Sequence, residues 1–245
     1  MGSPGLSERV REVRYRLGLL GPHGARARQM EKSMIFSSDD EARPSERLIE
    51  VALRAARVAQ ETSLAHLDAR LPGPPYWASL WPGEHYRLLA GLARVLEART
   101  VVEIGTATGL SALSLLAGVP EGGRVVTFDL IPWREYPGTV LREEDFAEGR
   151  LAQHIADLSH PEGIERHRAV LGDATLIFID AAKDGEQERR FLDLFAGVAF
   201  ASPPILVFDD IRQWKMLAIW REIQRPKLDL TSFGHWSGTG LVDFS

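Results

Sequence analysis

Two apolar runs in this 245-residue chain end in carboxylates, and that placement limits the chemistry available to it. TLIFI continues into DAAKDG, which carries Asp180 and Lys183; PILVF continues into DDIRQW, which carries Asp209 and Asp210. Near-continuous apolar runs of this length read as strands covered on both faces, as in a parallel sheet. Right-handed crossovers then deliver the carboxyl ends of such strands to one edge. Three carboxylates and a lysine meet there, an oxygen-only donor set suited to Mg2+, with Mn2+ as a substitute. The earlier turn VVEIGTATGLS reaches the same edge. Gly105 permits a sharp turn and close approach of a ligand, and Gly109 removes a side chain where a helix begins. The free amides of that helix start suit an anionic group.

The turn departs from a dinucleotide fingerprint, because Ala107 stands where the second glycine would let a pyrophosphate approach. Asp129 ends the next apolar run, RVVTF, where an acid can accept both hydroxyl hydrogens of a ribose. Together these features describe a site for a nucleoside that carries a carboxylate. Each residue taken singly has a plainer reading: an Asp after a strand caps a helix, and a Lys in AAKDG is solvated. Their joint occurrence on successive elements favours the functional one.

The elements that must position these groups follow from periodicity. A helix is expected from the N-cap Ser45 to about Arg70, with Leu48, Ala52, Ala55, Val58 or Ala59, Thr62 and Ala65 as its buried stripe, ended by PGPP. LLAGLARVLEA forms a second helix. From Thr100 the pattern is strand, turn, helix, repeated through VVEI, RVVTF, a weaker LAQHIA, TLIFI and ILVF, with helices near 110–118, 161–171, 185–198 and 211–224. LDLTSF and TGLVDF form an antiparallel pair at the end. The expected fold class is α/β: a mostly parallel seven-stranded, Rossmann-like sheet with an antiparallel edge, flanked by helices. Residues 1–75 read as an N-terminal helical extension and 76–245 as the main domain, with an insertion at 131–150 that follows Asp129 and can reach over the active edge as a lid. The basic cluster Arg9, Arg11, Arg14 and Arg16 reads as a solvated helix face or an unstructured arm.

The string from Glu103 to Ser111, E-I-G-T-A-T-G-L-S, resembles the first motif of class I S-adenosylmethionine-dependent methyltransferases. D-A-A-K at 180–183 and D-D at 209–210 are similar, more narrowly, to the divalent-metal-dependent O-methyltransferases of the catechol type and their relatives acting on phenylpropanoids and antibiotic sugars. This resemblance, over about residues 76–245, implies a methyltransferase fold and a cofactor, S-adenosylmethionine. It also implies that Asp180, Asp209 and Asp210 hold a cation and that Lys183 acts as base beside the catalytic Asp180. Glu103, Gly105, Thr106, Gly109 and Ser111 would contact the methionine part, Asp129 the ribose and Asp157 the adenine. The region of Glu84 would approach the methionine carboxylate. Asp210 replaces the Asn of the catechol-type pattern, which favours a cation and loosens the tie to catechol.

In such a reaction the enzyme holds donor and acceptor in line and removes the hydroxyl proton. Lys183 can take that proton only if its pKa is depressed, and among so many carboxylates a purely electrostatic role stays open. Tyr76, Trp77, Trp81, His85, Tyr86, His235 and Trp236, with Trp133, Tyr136 and Phe146 of the insertion, offer aromatic walls for a phenol or the apolar face of a sugar. The leading expectation is O-methylation of a small molecule with vicinal oxygens, preferably a glycosylated or polyketide natural product. A catechol or phenylpropanoid acceptor and a non-catalytic nucleoside-binding or interface module are the alternatives. A net charge of −5 and the lack of a basic stripe argue against nucleic acid, and no run is long enough to span a membrane. With no cysteine there are no disulfides or thiolate metal sites. A cytoplasmic location follows by default, and a homo-oligomer stays open.

Overall fold

The computed structural model describes residues 42–213 and 215–245. The N-terminal basic cluster lies outside them. Helix α1 spans Glu46–Glu61, and Ser45 caps it by accepting a hydrogen bond from the Leu48 amide. The helix expected to run to about Arg70 stops earlier. At Thr62 the backbone turns extended, its amide bonds Ala59 O, and its hydroxyl donates to Val58 O. A Thr–Ser pair that competes for its own backbone is a poor helix interior. The chain resumes as a single turn, α2 (Ala65–Asp68), which buries Leu64 and Leu67 and leaves Ala65 exposed. The buried stripe of α1 is Leu48, Val51, Ala52, Ala55, Ala56 and Ala59.

After α3 (Tyr86–Val95) the alternation expected from sequence is present: β1 (Thr100–Ile104), α4 (Leu110–Gly118), β2 (Arg124–Asp129), β3 (Leu151–Ile155), α5 (Pro161–Arg166), α6 (Arg168–Gly172), β4 (Leu176–Ile179), α7 (Gln187–Phe195), β5 (Ile205–Asp209), α8 (Met216–Glu222), β6 (Lys227–Asp229) and β7 (Thr239–Asp243). The seven strands form one sheet in the order β3-β2-β1-β4-β5-β7-β6. The first five are parallel, and β7 runs antiparallel to both β5 and β6. This is an α/β Rossmann-like fold. Strand order reverses between β1 and β4, and the crevice outside their carboxyl ends is where open sheets of this kind take ligands.

Alternation along each strand explains why both faces are covered. Val101, Val125, Leu176, Phe178, Ile205 and Val207 enter one core with α1, α3 and α4, while Val102, Val126, Ile177, Ile179, Leu206 and Phe208 enter the other with α7 and α8. The segment carrying α1 and α2 therefore shares a core with the sheet. Ser45 and Arg47 also bond Asp243 of β7, at 2.8 and 2.6 Å. Buried Lys227 closes α8 by donating to the carbonyls of Trp220 and Ile223 at 2.6 and 3.0 Å. Among the described residues no helix is long and apolar enough to cross a membrane.

The insertion at 131–150 is tied to the core. Trp133 is buried and stacks on Phe146 with 5.2 Å between ring centroids. Its amide donates to Gln153 of β3, and Arg70 grips Asp145 through two hydrogen bonds of 2.7 and 2.9 Å. Val140 donates to Thr108 O, and Leu141 lies against Gly109, so this segment flanks the glycine turn with Trp133 and Phe146 packed on each other.

Candidate active site

The turn after β1 is shaped by β4. Gly105 has φ +98°, and a Cβ there would collide with the carbonyl oxygen of Asp180. The sequence reading gave this glycine to ligand approach; its neighbour across the sheet also demands it. Gly105→Ala is expected to cost about 3 kcal/mol or more, from a disfavoured backbone conformation plus a clash with an unyielding main chain. Urea unfolding would measure it, and a midpoint equal to the wild type's would refute the packing argument.

Glu103, one residue before the end of β1, is fully buried, and no hydrogen bond of good geometry reaches either carboxylate oxygen, with the Ser111 and Thr127 hydroxyls as its polar neighbours. Burial raises its pKa from an ordinary 4.5 to about 8, against the opposing pull of Ser111 and Thr127. Such a group stabilises the fold while protonated, and the full contribution is present below about pH 4.5. Between 4.5 and 8 the unfolded chain loses this proton while the folded chain keeps it, so stability falls as pH rises. The fall is on the order of 5 kcal/mol at most. Denaturant titration of the ligand-free protein at about pH 5 and about pH 8.5 should show a larger loss in the wild type than in Glu103→Gln, which keeps only the part contributed by other groups such as His235. Equal pH slopes in the two proteins would rule it out.

An orphaned buried carboxylate beside a glycine turn fits a cationic group of a ligand. Gly109, in the left-handed conformation at φ +84°, is the N-cap of α4 and brings no side chain to its first-turn amides. Those amides suit an anion. A ligand that carries an amine and a carboxylate together matches the pair, as the methionine part of S-adenosylmethionine does.

Asp129, at the end of β2, holds the turn itself. Its Oδ2 accepts the Ala107 amide at 3.0 Å, and its Oδ1 accepts Leu130 and Ile131 at 2.7 and 3.1 Å. A carboxylate has about four lone-pair sites, so roughly one remains for a ligand hydroxyl. The Thr106 side chain is buried and spent on Thr127 (2.7 Å) and Gln153 (3.0 Å), leaving its backbone to meet a ligand. Asp157 lies past β3 and accepts the Ser159 amide at 2.8 Å, a local turn contact. Exposed Leu130, Ile131 and Ile155 flank Asp129 and form an apolar surface that the sequence reading did not single out. Its only signal in the sequence was that Leu130 and Ile131 follow a strand-ending acid.

The carboxylates expected to hold a cation do converge. Ligand atoms of Asp180, Asp209 and Asp210 lie within 4.8 Å of one another. The Lys183 ammonium sits among them, 2.7 Å from Asp180 Oδ1, 3.4 Å from Asp209 Oδ2 and 3.2 Å from Asp210 Oδ2. Burial works against its charge, but the three carboxylates outweigh burial and hold its pKa above the ordinary lysine value. In this arrangement the Lys183 ammonium is paired with three carboxylates. Burial pushes the Asp180 carboxyl up despite Lys183. Asp209 is held well below the usual range: burial opposes this, and the attraction of His85, His235 and Lys183 prevails.

Backbone strain concentrates here. Ala107, Lys183 and Asp210 all have positive φ, of 44°, 59° and 57°. Glu188 supports the Lys183 loop from inside, accepting the amides of Lys183 and Gly185 at 2.9 Å each. It was not foreseen, because a buried glutamate on an amphipathic helix looks like a solvated one in sequence.

Glu84, His85 and His235 reach the cluster from the opposite side. The 81–86 and 233–237 segments are zipped together by Trp81 Nε1 to Phe233 O (2.7 Å), Gly83 to Gly234 O (3.1 Å) and Trp236 to Gly83 O (3.0 Å). His235 Nδ1 is 3.0 Å from Asp209 Oδ1, and its Nε2 is 3.5 Å from Glu84 Oε2. Burial lowers the His235 pKa, but its hydrogen bonds to Asp209 and Asp210 dominate and raise it to about 10. Burial raises that of Glu84. Tyr76, Trp77 and Leu80, which precede the first segment, and Phe233 and Trp236 on the second are exposed.

The chain is 45% identical over 56 residues to catechol O-methyltransferase domain-containing protein 1 of Mus musculus, covering 23% of this chain and 21% of that protein. It is 49% identical over 96 residues to a putative O-methyltransferase of Mycolicibacterium vanbaalenii, covering 39% and 41%. The chain thus spans between a fifth and two fifths of the length of these curated relatives. In fold it is similar to a putative caffeoyl-CoA O-methyltransferase from Staphylococcus aureus, with a TM-score of 0.50 and 15% identity over 80% of this chain and 100% of that one. The family described as methyltransferase domain matches residues 102–211. That span contains Glu103, Asp129, Asp180, Lys183, Asp209 and Asp210, and it leaves Glu84, His85 and His235 outside.

Proposed function

We propose that this chain transfers a methyl group from S-adenosylmethionine to a hydroxyl of a small molecule with vicinal oxygens, assisted by a divalent cation. One observation carries the reading: a turn with an orphaned carboxylate, Glu103, and the acid cluster of Asp180, Asp209 and Asp210 open on the same sheet edge. When bound, the cofactor supplies an electrophilic methyl on a sulfonium, and the cation supplies a Lewis acid that acidifies the attacking hydroxyl.

The rest falls to the chain's own groups. Glu103 and the first turn of α4 take the charged ends of the amino-acid part. Asp129 orients the ribose, Leu130, Ile131 and Ile155 cover an apolar ring, and Asp157 stands at the adenine edge. Asp180, Asp209 and Asp210 fit Mg2+, or Mn2+, through oxygen alone. Lys183 keeps its proton while the three acids surround it. It becomes a base only if their negative charge is neutralised, because burial then works unopposed against the ammonium.

For the acceptor, the preference remains a glycosylated or polyketide compound. Its support is the breadth of the exposed surface formed by Tyr76, Trp77, Leu80, Phe233 and Trp236, which exceeds the need of a small ring. A catechol or phenylpropanoid acceptor is the second reading, favoured by the inward packing of Trp133 and Phe146, which leaves the 131–150 segment less aromatic cover to offer. Labelled methyl transfer onto a panel of catechols, phenylpropanoids and glycosylated hydroxyl compounds, with and without EDTA, tests the proposal. Turnover of vicinal-oxygen acceptors that EDTA abolishes is expected. Stoichiometric cofactor binding with no transfer to any acceptor would favour a non-catalytic nucleoside-binding module. Turnover of a bare catechol alone would reverse the acceptor preference.

A further inference from the structure

His85 and His235 come from segments 150 residues apart, lie outside the span matched to the methyltransferase domain, and meet on one oxygen of Asp209. We propose that His85, Asp209 and His235 form a cation position of mixed nitrogen and oxygen donors that takes a borderline transition ion such as Zn2+ or Co2+, next to the all-oxygen cluster.

The two oxygens of Asp209 are divided between two neighbourhoods. Oδ2 faces Lys183, beside Asp180 and Asp210, whereas Oδ1 faces the imidazoles, 3.4 Å from His85 Nδ1 and 3.0 Å from His235 Nδ1. One ligand atom from each of the three residues falls within 4.8 Å of the others. An ion with bonds of about 2.0–2.1 Å in tetrahedral geometry spaces its ligand atoms by about 3.3 Å, so modest ring rotations suffice.

Two further observations point to a ligand. The His85 side chain is 4% exposed, and no hydrogen bond of good geometry reaches either ring nitrogen; Nδ1 makes only a long approach, 3.4 Å, to Asp209 Oδ1. A buried imidazole with both nitrogens unsatisfied, one directed at a carboxylate, calls for an electron-pair acceptor between them. The ring is held in place by Tyr86 and Phe178, with centroids at 4.6 and 5.2 Å. The second observation concerns His235. Glu84 Oε2 stands 3.5 Å behind its Nε2, the position of the carboxylate that orients a metal-bound histidine and leaves its other nitrogen free to coordinate. In the ion-free chain Nδ1 is engaged by Ser237 Oγ at 2.8 Å and Asp209 Oδ1 at 3.0 Å, contacts that an ion would replace. Imidazole nitrogen selects Zn2+, Co2+ or Ni2+ over Mg2+, so this position differs in preference from its oxygen-only neighbour. It depends on the proposed function only through the shared Asp209.

The test uses the full chain, loaded with Co2+ alone and titrated separately with Zn2+ and Mg2+. The wild type should give the visible absorption of nitrogen-ligated, low-coordinate Co2+. His85→Gln and His235→Gln should lose it and weaken Zn2+ binding at least ~10-fold, whereas Asp180→Asn should keep the band. Circular dichroism checks the fold of each variant. Should a histidine variant not fold, electron spin-echo spectra of Cu2+ on the wild type decide, where modulation from two imidazole nitrogens is expected. A Co2+ spectrum typical of oxygen ligands only, missing nitrogen modulation, or undiminished Zn2+ affinity in both folded histidine variants would overturn the inference. Nitrogen-ligated Co2+ in a chain that does not bind Mg2+ would support this inference and overturn the carboxylate cation of the proposed function.

Discussion

Asp180→Asn is expected to keep S-adenosylmethionine affinity within about twofold while lowering kcat by roughly 100-fold or more. On the proposed reading this carboxylate, 2.7 Å from Lys183, serves the acceptor, and Glu103 and the α4 terminus serve the donor. Removing one of three cation ligands weakens the Lewis acid and leaves the cofactor turn intact. EDTA should reproduce the loss in the wild type, and added Mg2+ should restore it. Single-turnover kinetics at saturating acceptor separate this from binding. Full activity in a rigorously metal-free preparation would sink the cation's role. Lys183→Met in the same assay separates the two roles of the lysine. A slowed chemical step with the cation still bound assigns it the proton, and an unchanged rate reduces it to the counter-ion of the ion-free state.

Asp129→Ala should weaken binding of S-adenosylhomocysteine by about 10- to 100-fold, from the loss of one charge-assisted hydrogen bond worth about 1.5–3 kcal/mol. The geometry adds a complication, because the same carboxylate anchors the amides of Ala107, Leu130 and Ile131. Part of any loss could come from a loosened turn. A ligand lacking the ribose hydroxyls separates the contributions. In the wild type, calorimetry should show it binding more weakly than the parent compound, and in Asp129→Ala the two ligands should bind alike. An equal penalty for hydroxyl removal in both proteins would take Asp129 out of the ribose role and leave it as a structural anchor.

What the sequence determined by itself is whatever short-range pattern encodes. Strand identity followed from apolar runs, the turn from Gly105 and Gly109, and the delivery of Asp129, Asp180, Asp209 and Asp210 to one edge from the handedness of parallel crossovers. Even the weak strand Leu151–Ile155 was legible, since it had only to occupy an edge beside β2. The early end of α1 was less so: Thr62 is a tolerable helix residue by pattern, and burial of Leu64 and Leu67 redirected the chain.

Tertiary structure alone decided the electrostatics. Lys183 has one acid three residues away and two more that arrive from β5, and their summed field fixes its charge. Gly105 is required by the carbonyl of Asp180, just past β4 and 75 residues later in the chain, a contact no local period records. His85 and His235 are 150 residues apart in sequence, and only the zipping of residues 81–86 against 233–237 sets both rings on Asp209. Periodicity reports which face a side chain takes. Which charges share that face depends on distances between segments remote in sequence, and those distances set pKa, ion preference and the division of labour around Asp209.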